Sequence, residues 1–418
     1  MNDILPERSA IWQRVEAECA TLFGKYGYQQ IRTPIVESTH LFARSIGEET
    51  DIVAKEMYTF ADRNDDSLTL RPEGTASTVR AGIQNGLFYN QQQRLWYQGA
   101  MFRYERPQKG RYRQFHQLGV ECYGWPGVDI EAEVLSLIDD LFKRLELSNT
   151  HLHINSLGDR DSRLAYRGAL VEYLSLHSDL LDEDSLRRLR TNPLRILDSK
   201  NAQVQEVLTQ APSILDYLST SSEQSFAQLQ SYLRSLGIHY EINPRLVRGL
   251  DYYNDTVFEW INPSFGAQST VCGGGRYDHM VEQLGGQATP AFGFGMGLER
   301  LIQILEEQEA LITKSIEPQD VFIVSNNNQA RAVALTIQKQ LVAKDVSVFC
   351  HLGDSSFKNQ FKKADKSGAK VAVIIGEDEL KHDAVGVKIL VSAQKSEQQQ
   401  TINRNEVIDV VTNLLKRL

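Results

Sequence analysis

The sequence contains few cysteines and no segment typical of export or membrane insertion. Four cysteines are scattered over 418 residues without a C-x-x-C pair, which argues against a disulfide framework and against a structural zinc site. No apolar run reaches the length that spans a bilayer. Residues 1–6 lack the basic and apolar regions of a signal peptide. We therefore expect a cytoplasmic protein with reduced thiols and no membrane partner.

Positive charge is also scarce, and a dinucleotide-binding loop is missing. The formal net charge is −9, which argues against a general nucleic-acid coat. A local basic groove on an acidic body would still bind phosphates in a salt-sensitive manner. The glycine run at 273–275 follows a strand-like segment but lacks the G-x-G-x-x-G spacing of a Rossmann unit, so we exclude a dinucleotide site there.

The length of the chain and its changing periodicity predict several domains. A chain of 418 residues is too long for one core. Between about residues 158 and 237, apolar residues recur at helical spacing between polar turns. After an apparent linker at 313–318, strands and helices alternate, which predicts a separate domain with a mixed or parallel sheet. Its predicted strands are 321–324, 346–349 and 371–375, and its helices are 329–343 and 357–366.

A basic stretch occupies residues 99–121. It opens apolar, becomes cationic and then resumes an alternation of apolar and polar residues, which predicts two antiparallel strands around a turn at Pro107 and Gly110. The arginines could hold phosphate oxygens bidentately, or the stretch could be a solvated hairpin. Its cations are Arg103, Arg106, Lys109, Arg111 and Arg113.

Three further segments each have a functional and a structural interpretation. Glu73 and Thr75 could hold an ammonium group or simply begin a helix. Arg300 could contact a ligand or lie exposed in the first turn of an amphipathic helix. The helix at 7–26, followed by a strand at 28–36 that contains a proline, could form a dimer interface or pack within its own domain.

Residues 245–259 have the composition of a strand. Strict alternation would place Arg248 and Tyr253 on opposite faces, so both can serve one pocket only if the chain bends at Gly249. The structural alternative is a surface ion pair between Arg248 and Asp251, which would stabilise little.

Several of these motifs, in this order, resemble those of the class II aminoacyl-tRNA synthetases. Arg103 within Phe102-Arg-x-Glu105, followed by Arg113-Gln-Phe115, is similar to motif 2. The helix at 7–26 with the strand at 28–36 and its proline resembles motif 1, which builds the dimer interface, and residues 293–305 resemble motif 3. Residues 248–253 and 273–278 are similar to histidine-specific signatures, so the chain is identified as a member of the histidyl-tRNA synthetase family over nearly its whole length.

The resemblance implies an α+β fold with a class II antiparallel sheet flanked by helices. The catalytic domain would comprise residues 1–157 and 239–312. A helical insertion at 158–238 would contact the tRNA acceptor arm, and residues 319–418 would form an α/β anticodon-binding domain. A helix face there is suited to RNA but could equally be solvated; it carries Lys358, Lys362, Lys363 and Lys366.

The resemblance also implies an activity and its substrates. The chain would activate L-histidine with ATP to histidyl-adenylate and transfer histidine to the 3′ end of tRNA(His). Mg²⁺ would arrive with ATP, metal ligands within the protein stay unassigned, and the active form would be a homodimer. Activation requires mainly positioning and charge neutralisation at the α-phosphorus.

Carried over residue by residue, the resemblance assigns a set of site residues. The catalytic group is Arg248, Arg103 and Gln117. ATP would be held by Arg103 at the α-phosphate, Arg111 at the outer phosphates, Phe115 and Arg300 on the two faces of adenine, and Glu105 at its edge. Histidine would be held by Glu73, Gly74, Thr75 and Gln117 around the amino group, by Glu121 and Tyr253 at the imidazole, and by Arg103, Arg248, Tyr252 and Tyr277.

Two other functions stay open at this point. A non-catalytic paralogue of the family regulates ATP phosphoribosyltransferase, but such chains typically lack the anticodon domain and the intact histidine signatures. The other alternative is an acyl-adenylating enzyme whose acceptor is not tRNA, which the basic helix at 357–366 disfavours weakly.

Overall fold

A computed structural model describes residues 2–47, 50–106, 110–308, 319–391 and 399–418. The chain forms two compact units, residues 1–315 and 316–418. The predicted linker at 313–318 lies outside the described residues, as do Pro107 and Lys109 of the predicted basic turn. Within the described ranges, every helix is too short or too polar to cross a membrane.

An eight-stranded sheet forms the centre of the first unit. Its inner strands pair antiparallel, whereas the pairs at the two edges are parallel. This architecture confirms the predicted α+β class. In order across the sheet, the strands are β1 (Gln29–Gln30), β5 (Gln93–Phe102), β6 (Gln114–Tyr123), β11 (Ala291–Gly297), β10 (Thr270–Arg276), β9 (Asn254–Ile261), β7 (His151–Ser156) and β8 (Tyr240–Ile242).

The side-chain alternation of these strands separates two faces. Even-numbered residues of β6, β9 and β11, such as Val120, Phe258 and Phe294, enter a large apolar core. Odd-numbered residues face the other way. The helices that complete the large core are α1 (Pro6–Lys25), α4 (Asp129–Arg144), α8 (Thr220–Ser235) and α10 (Leu298–Glu307).

A second apolar cluster covers part of the odd-numbered face, including Leu95, Val257 and Ala291. Its helices are α2 (Thr39–Ile46), α3 (Thr75–Gln84), α5 (Arg160–Ser175), α7 (Ala202–Leu208) and α9 (Met280–Gln283). A small antiparallel sheet lies beside them; its strands, in order, are β2 (Val36–Ser38), β4 (Ser67–Leu70) and β3 (Tyr58–Ala61).

Residues 160–235, called here the helical segment, contain α5, α6 (Glu183–Thr191), α7 and α8. Each helix begins where a side chain accepts hydrogen bonds from its first backbone N–H groups; these caps are Asp159, Asp182, Asn201 and Ser219. Because α5 and α8 bury their apolar faces in the two cores, the helical segment packs into the first unit. The finer boundaries at 157/158 and 238/239 stay predictions.

Two predicted strands differ from the structure. The strand expected at 28–36 is divided between two sheets, because β1 ends at Gln30 and β2 begins at Val36; Pro34 lies in the gap and has no N–H to donate. Within 245–259, only residues from Asn254 onward are a strand. Leu246 N–H donates to Asn243 O at 2.9 Å, which turns the chain before β9.

The second unit has the mixed sheet that the sequence predicts. Strand β12 (Val321–Ser325) pairs parallel with both β13 (Val348–Cys350) and β14 (Val371–Ile375), and β14 continues antiparallel to β15 (Ala384–Ile389) and β16 (Gln400–Asn403). Its helices are α11 (Asn328–Val342), α12 (Phe357–Ser367), α13 (Glu377–Lys381) and α14 (Val407–Leu415). The four lysines of α12 named above are all exposed.

A buried ion pair joins β10 to α4. Arg276 Nε donates to Glu131 Oε1 at 2.6 Å, and these side chains are 4% and 0% exposed. The same guanidinium donates to Gly127 O at 2.9 Å and to Trp125 O at 3.2 Å. Removing one partner of such a pair leaves an uncompensated buried charge.

We expect Arg276→Leu to lower the free energy of unfolding of the first unit by about 3–5 kcal/mol. The matched control is Arg8→Leu, because Arg8 is 47% exposed in its ion pair with Glu306, and this change should alter stability by less than about 1 kcal/mol. Urea unfolding followed by tryptophan fluorescence measures this, because all four tryptophans lie in the first unit. Equal losses in both variants would contradict the prediction.

Candidate active site

The candidate site lies on the odd-numbered face of the central sheet. Glycines there leave space above the backbone for side chains of neighbouring strands and loops. A Cβ on Gly273 would lie 2.5 Å from the Arg248 guanidinium, and one on Gly295 would lie 2.5 Å from the Gln117 amide. Gly293 is overlaid in the same way by Glu121. Three predicted site residues therefore rest directly on glycine backbone.

Glu121 is the buried acid of the site, with 1% of its surface exposed. The hydroxyl of Thr75 donates to its Oε1 at 2.7 Å, the hydroxyl of Tyr97 donates to the same oxygen at 3.3 Å, and the hydroxyl of Tyr277 donates to Oε2. Burial raises the pKa of Glu121 to about 8, although these hydroxyls oppose the shift. The carboxyl group is thus poised to gain or lose a proton near neutral pH.

Aromatic rings enclose the space next to Glu121. Tyr277 lies edge-on to Tyr252 with ring centroids 5.6 Å apart, and to Tyr253 at 6.4 Å. The Tyr252 hydroxyl donates to that of Tyr253 at 3.5 Å. A fourth ring, Tyr123, lies 6.3 Å from Tyr277. The structure therefore brings Glu121 and the three tyrosines of the predicted set into one cluster.

Glu73 and its neighbours form the start of α3. The Glu73 carboxylate accepts from the N–H groups of Thr75 at 2.7 Å and Ala76 at 2.9 Å, so it caps the helix, as the structural interpretation of this segment proposed. Gly74 N–H donates to Gln117 Oε1 at 3.1 Å. Two lone pairs of the buried carboxylate are thereby used, and the others can accept from a ligand. The amino-group assignment stays a prediction.

A cleft of about 230 Å³ opens beside this cluster, and all of the predicted ATP-binding residues line it: Arg103, Glu105, Arg111, Phe115 and Arg300. One side of the cleft comes from β6 and from described residues between β5 and β6. The antiparallel register of these two strands confirms the predicted hairpin. The Arg103 guanidinium lies 5.3 Å from the Phe115 ring centre, and its Nε donates to Pro72 O at 2.9 Å. Glu105 pairs with Arg111.

Arg300 is a partly buried residue in the wall of the cleft rather than an exposed helix residue. Its Nε donates to Gly110 O at 3.3 Å, and its Nη1 donates to Thr270 O. Burial, together with the nearby charge of Arg111, lowers the pKa of the guanidinium. An anionic ligand placed between these two arginines would relieve their repulsion.

Arg248 lies in the same cleft, and its ion-pair partner is not the one that the structural alternative proposed. Its Nη1 forms an ion pair with Glu259, whose other oxygen accepts from the Thr270 hydroxyl at 2.9 Å. Asp251, the partner that the structural alternative proposed, accepts instead from Asn192 Nδ2 at 2.8 Å. The Arg248 side chain is 18% exposed, and its guanidinium lies 5.9 Å from the Tyr253 ring centre.

Sequence reasoning missed three residues of this site. Tyr97 and Tyr123 occupy odd positions of β5 and β6, so counting alternation from Glu121 could have found them. Glu259 occupies an odd position of β9, but its pairing with Arg248 depends on how the preceding loop returns over the sheet. That return leaves no local signal in the sequence.

Comparisons with known proteins find matches for both units of the chain. A family model described as histidyl-tRNA synthetase matches residues 1–301, and one described as an anticodon-binding domain matches residues 320–414. The crystal structure of the apo histidyl-tRNA synthetase of S. aureus is 37% identical, with coverage of 98% of both chains and a TM-score of 0.82.

Two more distant structures share the fold. One is a histidyl-tRNA synthetase from Nostoc, 18% identical with a TM-score of 0.67, covering 99% of this chain and 98% of the other. The second is described as an ATP phosphoribosyltransferase regulatory subunit/histidyl-tRNA synthetase from Bacillus halodurans. It is 22% identical with a TM-score of 0.64, covering 90% of this chain and 96% of the other.

The raised pKa of Glu121 predicts a specific pH dependence of stability. Below its ordinary pKa of 4.5 the carboxyl is protonated in both states, and its contribution to stability is fully present. As the pH rises towards about 8, the unfolded chain releases this proton while the folded protein retains it, so the free energy of unfolding falls.

Glu121→Gln has a neutral side chain of the same shape and no titrating proton, so it should lack this pH-dependent contribution to the free energy of unfolding. We expect the stability of wild type relative to Glu121→Gln to decrease steadily from pH 5 to pH 8, measured by urea unfolding. Glu7→Gln, an exposed change in α1, serves as the control and should run parallel to wild type. A constant difference between wild type and Glu121→Gln would disprove the assignment.

Proposed function

Since this chain belongs to the histidyl-tRNA synthetase family, we propose that it activates L-histidine with ATP and transfers the histidyl group to the 3′ end of tRNA(His). One observation carries the proposal. A buried carboxyl group ringed by hydroxyls, Glu121, lies next to a cleft lined with arginines. The first suits a small heterocycle with N–H groups, and the second suits a polyphosphate.

In this proposal, the imidazole of histidine lies against Glu121 and Tyr253. An ionised Glu121 accepts from one ring N–H, and the tyrosine hydroxyl serves the other nitrogen. Tyr252 and Tyr277 close the pocket. The amino group lies towards the residues at the start of α3 and β6, which are Glu73, Gly74, Thr75 and Gln117. Pockets built on buried hydrogen bonds reject analogues that lack them by roughly 10⁴-fold or more.

ATP lies along the cleft, with its adenine between Phe115 and Arg300 and its edge towards Glu105. Arg111 meets the outer phosphates. A carboxylate oxygen of histidine attacks the α-phosphorus, the bond to the bridging oxygen breaks, and pyrophosphate leaves. Arg103 and Arg248 line the same cleft from different elements and neutralise charge on the α-phosphate from two sides. The protein therefore acts by positioning and electrostatics.

Mg²⁺ enters this scheme as part of the Mg–ATP substrate. The two carboxylates that line the cleft are already engaged, Glu105 with Arg111 and Glu299 with the backbone N–H of His116, and the nearby Glu259 is paired with Arg248. Among the described residues, no group of three His, Cys, Asp or Glu side chains is arranged to hold a metal ion. These side chains therefore do not fit a resident metal.

The remaining proposals concern partners and location. The second unit binds the anticodon of tRNA, and its exposed lysines on α12 suit phosphates. Two copies associate through the region of β2 and β3, where Ile35, Val36 and Phe60 are more than 40% exposed; apolar surface of this kind suits an interface. A cytoplasmic location is supported by four cysteines that are all unpaired and buried.

Amino-acid-dependent exchange between ATP and pyrophosphate tests the function. With each of the twenty amino acids in turn, we expect exchange with histidine alone, followed by charging of tRNA(His) in bulk tRNA. An absence of exchange would favour a regulatory role, and exchange without charging would favour a different acceptor. Both outcomes would overturn the proposal.

The proposed role of Arg248 can be separated from tRNA transfer. Arg248→His should slow single-turnover adenylate formation by roughly 10²–10³-fold, as expected for removal of a preorganised group. Transfer from preformed histidyl-adenylate should suffer far less, because pyrophosphate has already left. Arg167→His, an exposed change on α5, is the control. Equal losses in both steps would favour a purely structural role for Arg248.

A further inference from the structure

The loop that carries Arg248 is held by side chains of the helical segment. Residues 248–253, all of which the structure describes, lie between β8 and β9 and outside the helices and strands. Arg195 Nη1 donates to Arg248 O at 3.1 Å, and Arg163 Nη1 donates to Tyr253 O at 2.8 Å. Asn192 Nδ2 adds the bond to Asp251 at 2.8 Å. Both ends and the middle of the loop are therefore tied to residues 163–195.

Arg195 is the contact nearest to the reacting groups. It lies in a turn of 3₁₀ helix at Pro193–Asp198, and its own carbonyl accepts from Arg188 Nη1 at 3.2 Å. Its guanidinium also lies against Gly249, where an added Cβ would be 3.0 Å from Nη1. Arg195 thus packs on the peptide that joins Arg248 to Gly249.

A hydrogen bond from a charged guanidinium to a carbonyl is stronger than one between neutral groups. Here it fixes the peptide plane from which the Arg248 side chain projects. The far end of that side chain is held separately by Glu259. Loss of the backbone contact lets the Arg248 Cα move, and the ion pair with Glu259 alone then no longer fixes where the guanidinium lies relative to the cleft. A misplacement of 1 Å can cost about 10²-fold in rate.

We infer that Arg195 is a positioning residue for Arg248 in adenylate formation, through which the helical segment sets the geometry of the activation step. The inference rests on the proposed function. Arg195 itself lines a separate small pocket with Asn192 and Asp251 and acts on the reaction through the Arg248 backbone.

Arg195→Ala should lower kcat for histidine-dependent pyrophosphate exchange by about 10–100-fold, with the KM for histidine changed less than threefold. Arg195→Lys keeps one charged donor for one carbonyl and should recover most of the rate. The control Arg187→Ala lies on α6, where Arg187 is 53% exposed and pairs with Asp184 of its own helix, and it should behave as wild type. The melting temperatures of all variants should agree.

The decisive measurement combines Arg195→Ala with Arg248→His. If Arg195 acts through Arg248, the double variant loses little more exchange activity than Arg248→His alone, whereas independent residues give losses that multiply. Multiplying losses would overturn the inference. So would normal exchange with impaired tRNA charging, which would make Arg195 an RNA contact, or a lowered melting temperature without rescue by lysine.

If Arg195→Ala does not fold, Arg195→Lys and Arg195→Gln are compared instead, each alone and combined with Arg248→His. As before, losses of exchange activity that multiply in the double variants would overturn the inference. Failure of the proposed function is distinguishable, because it would appear as an absence of histidine-dependent exchange in the wild-type protein.

Discussion

Side chains of the candidate site lie directly on the backbone of the adjacent strand, and this close approach is possible only above glycine. Glu121 covers Gly293, Gln117 covers Gly295, and the Arg248 guanidinium covers Gly273. Any Cβ at these positions would occupy the space of a functional group. Because alternation puts every second residue on this face, the opposite face of the same strands is free to carry the large apolar residues of the core. The same strands therefore carry a packed apolar core on one face of the sheet and a polar site on the other.

Burial then determines the electrostatics of the site. The Glu121 carboxyl group lies beneath aromatic rings and is contacted by hydroxyls, which stabilise a charge less than a cation would. Its pKa is therefore raised. For Arg248, burial disfavours the charge, yet the adjacent carboxylate of Glu259 outweighs this and raises the pKa. One end of the site holds an acid near its titration point, and the other holds a permanent cation.

Much of this arrangement could be predicted from residue patterns. The β5–β6 hairpin, the alternating strands and helices of the second unit, and the order of the motifs all have local signals, namely alternation, turn residues and helical spacing. The division of residues 28–36 between two sheets, the loop at 248–253 and the pairing of Arg248 with Glu259 have none. These features depend on which strands are neighbours in the sheet. For Arg248, the sequence instead suggested Asp251, an acid only three residues away, as the ion-pair partner. The resemblance supplied the candidate residues, whereas contacts such as that of Tyr97 with Glu121 required the register of β5 on β6.

Regular and irregular parts of the site are held in different ways. Glu121 and Gln117 are fixed by strand register, because the ladder satisfies their backbone groups. The loop at 248–253 lies outside that ladder, yet its partly buried carbonyl groups still need donors. Guanidinium groups supply them at Arg248 O and Tyr253 O. From the sequence alone, Arg163 and Arg195 would be assigned to a basic surface. In the fold they donate the hydrogen bonds that a neighbouring strand would otherwise donate to this loop. The helical segment therefore helps to support the site. An arginine of this segment can be assigned a role in RNA binding only after its contacts within the protein are known.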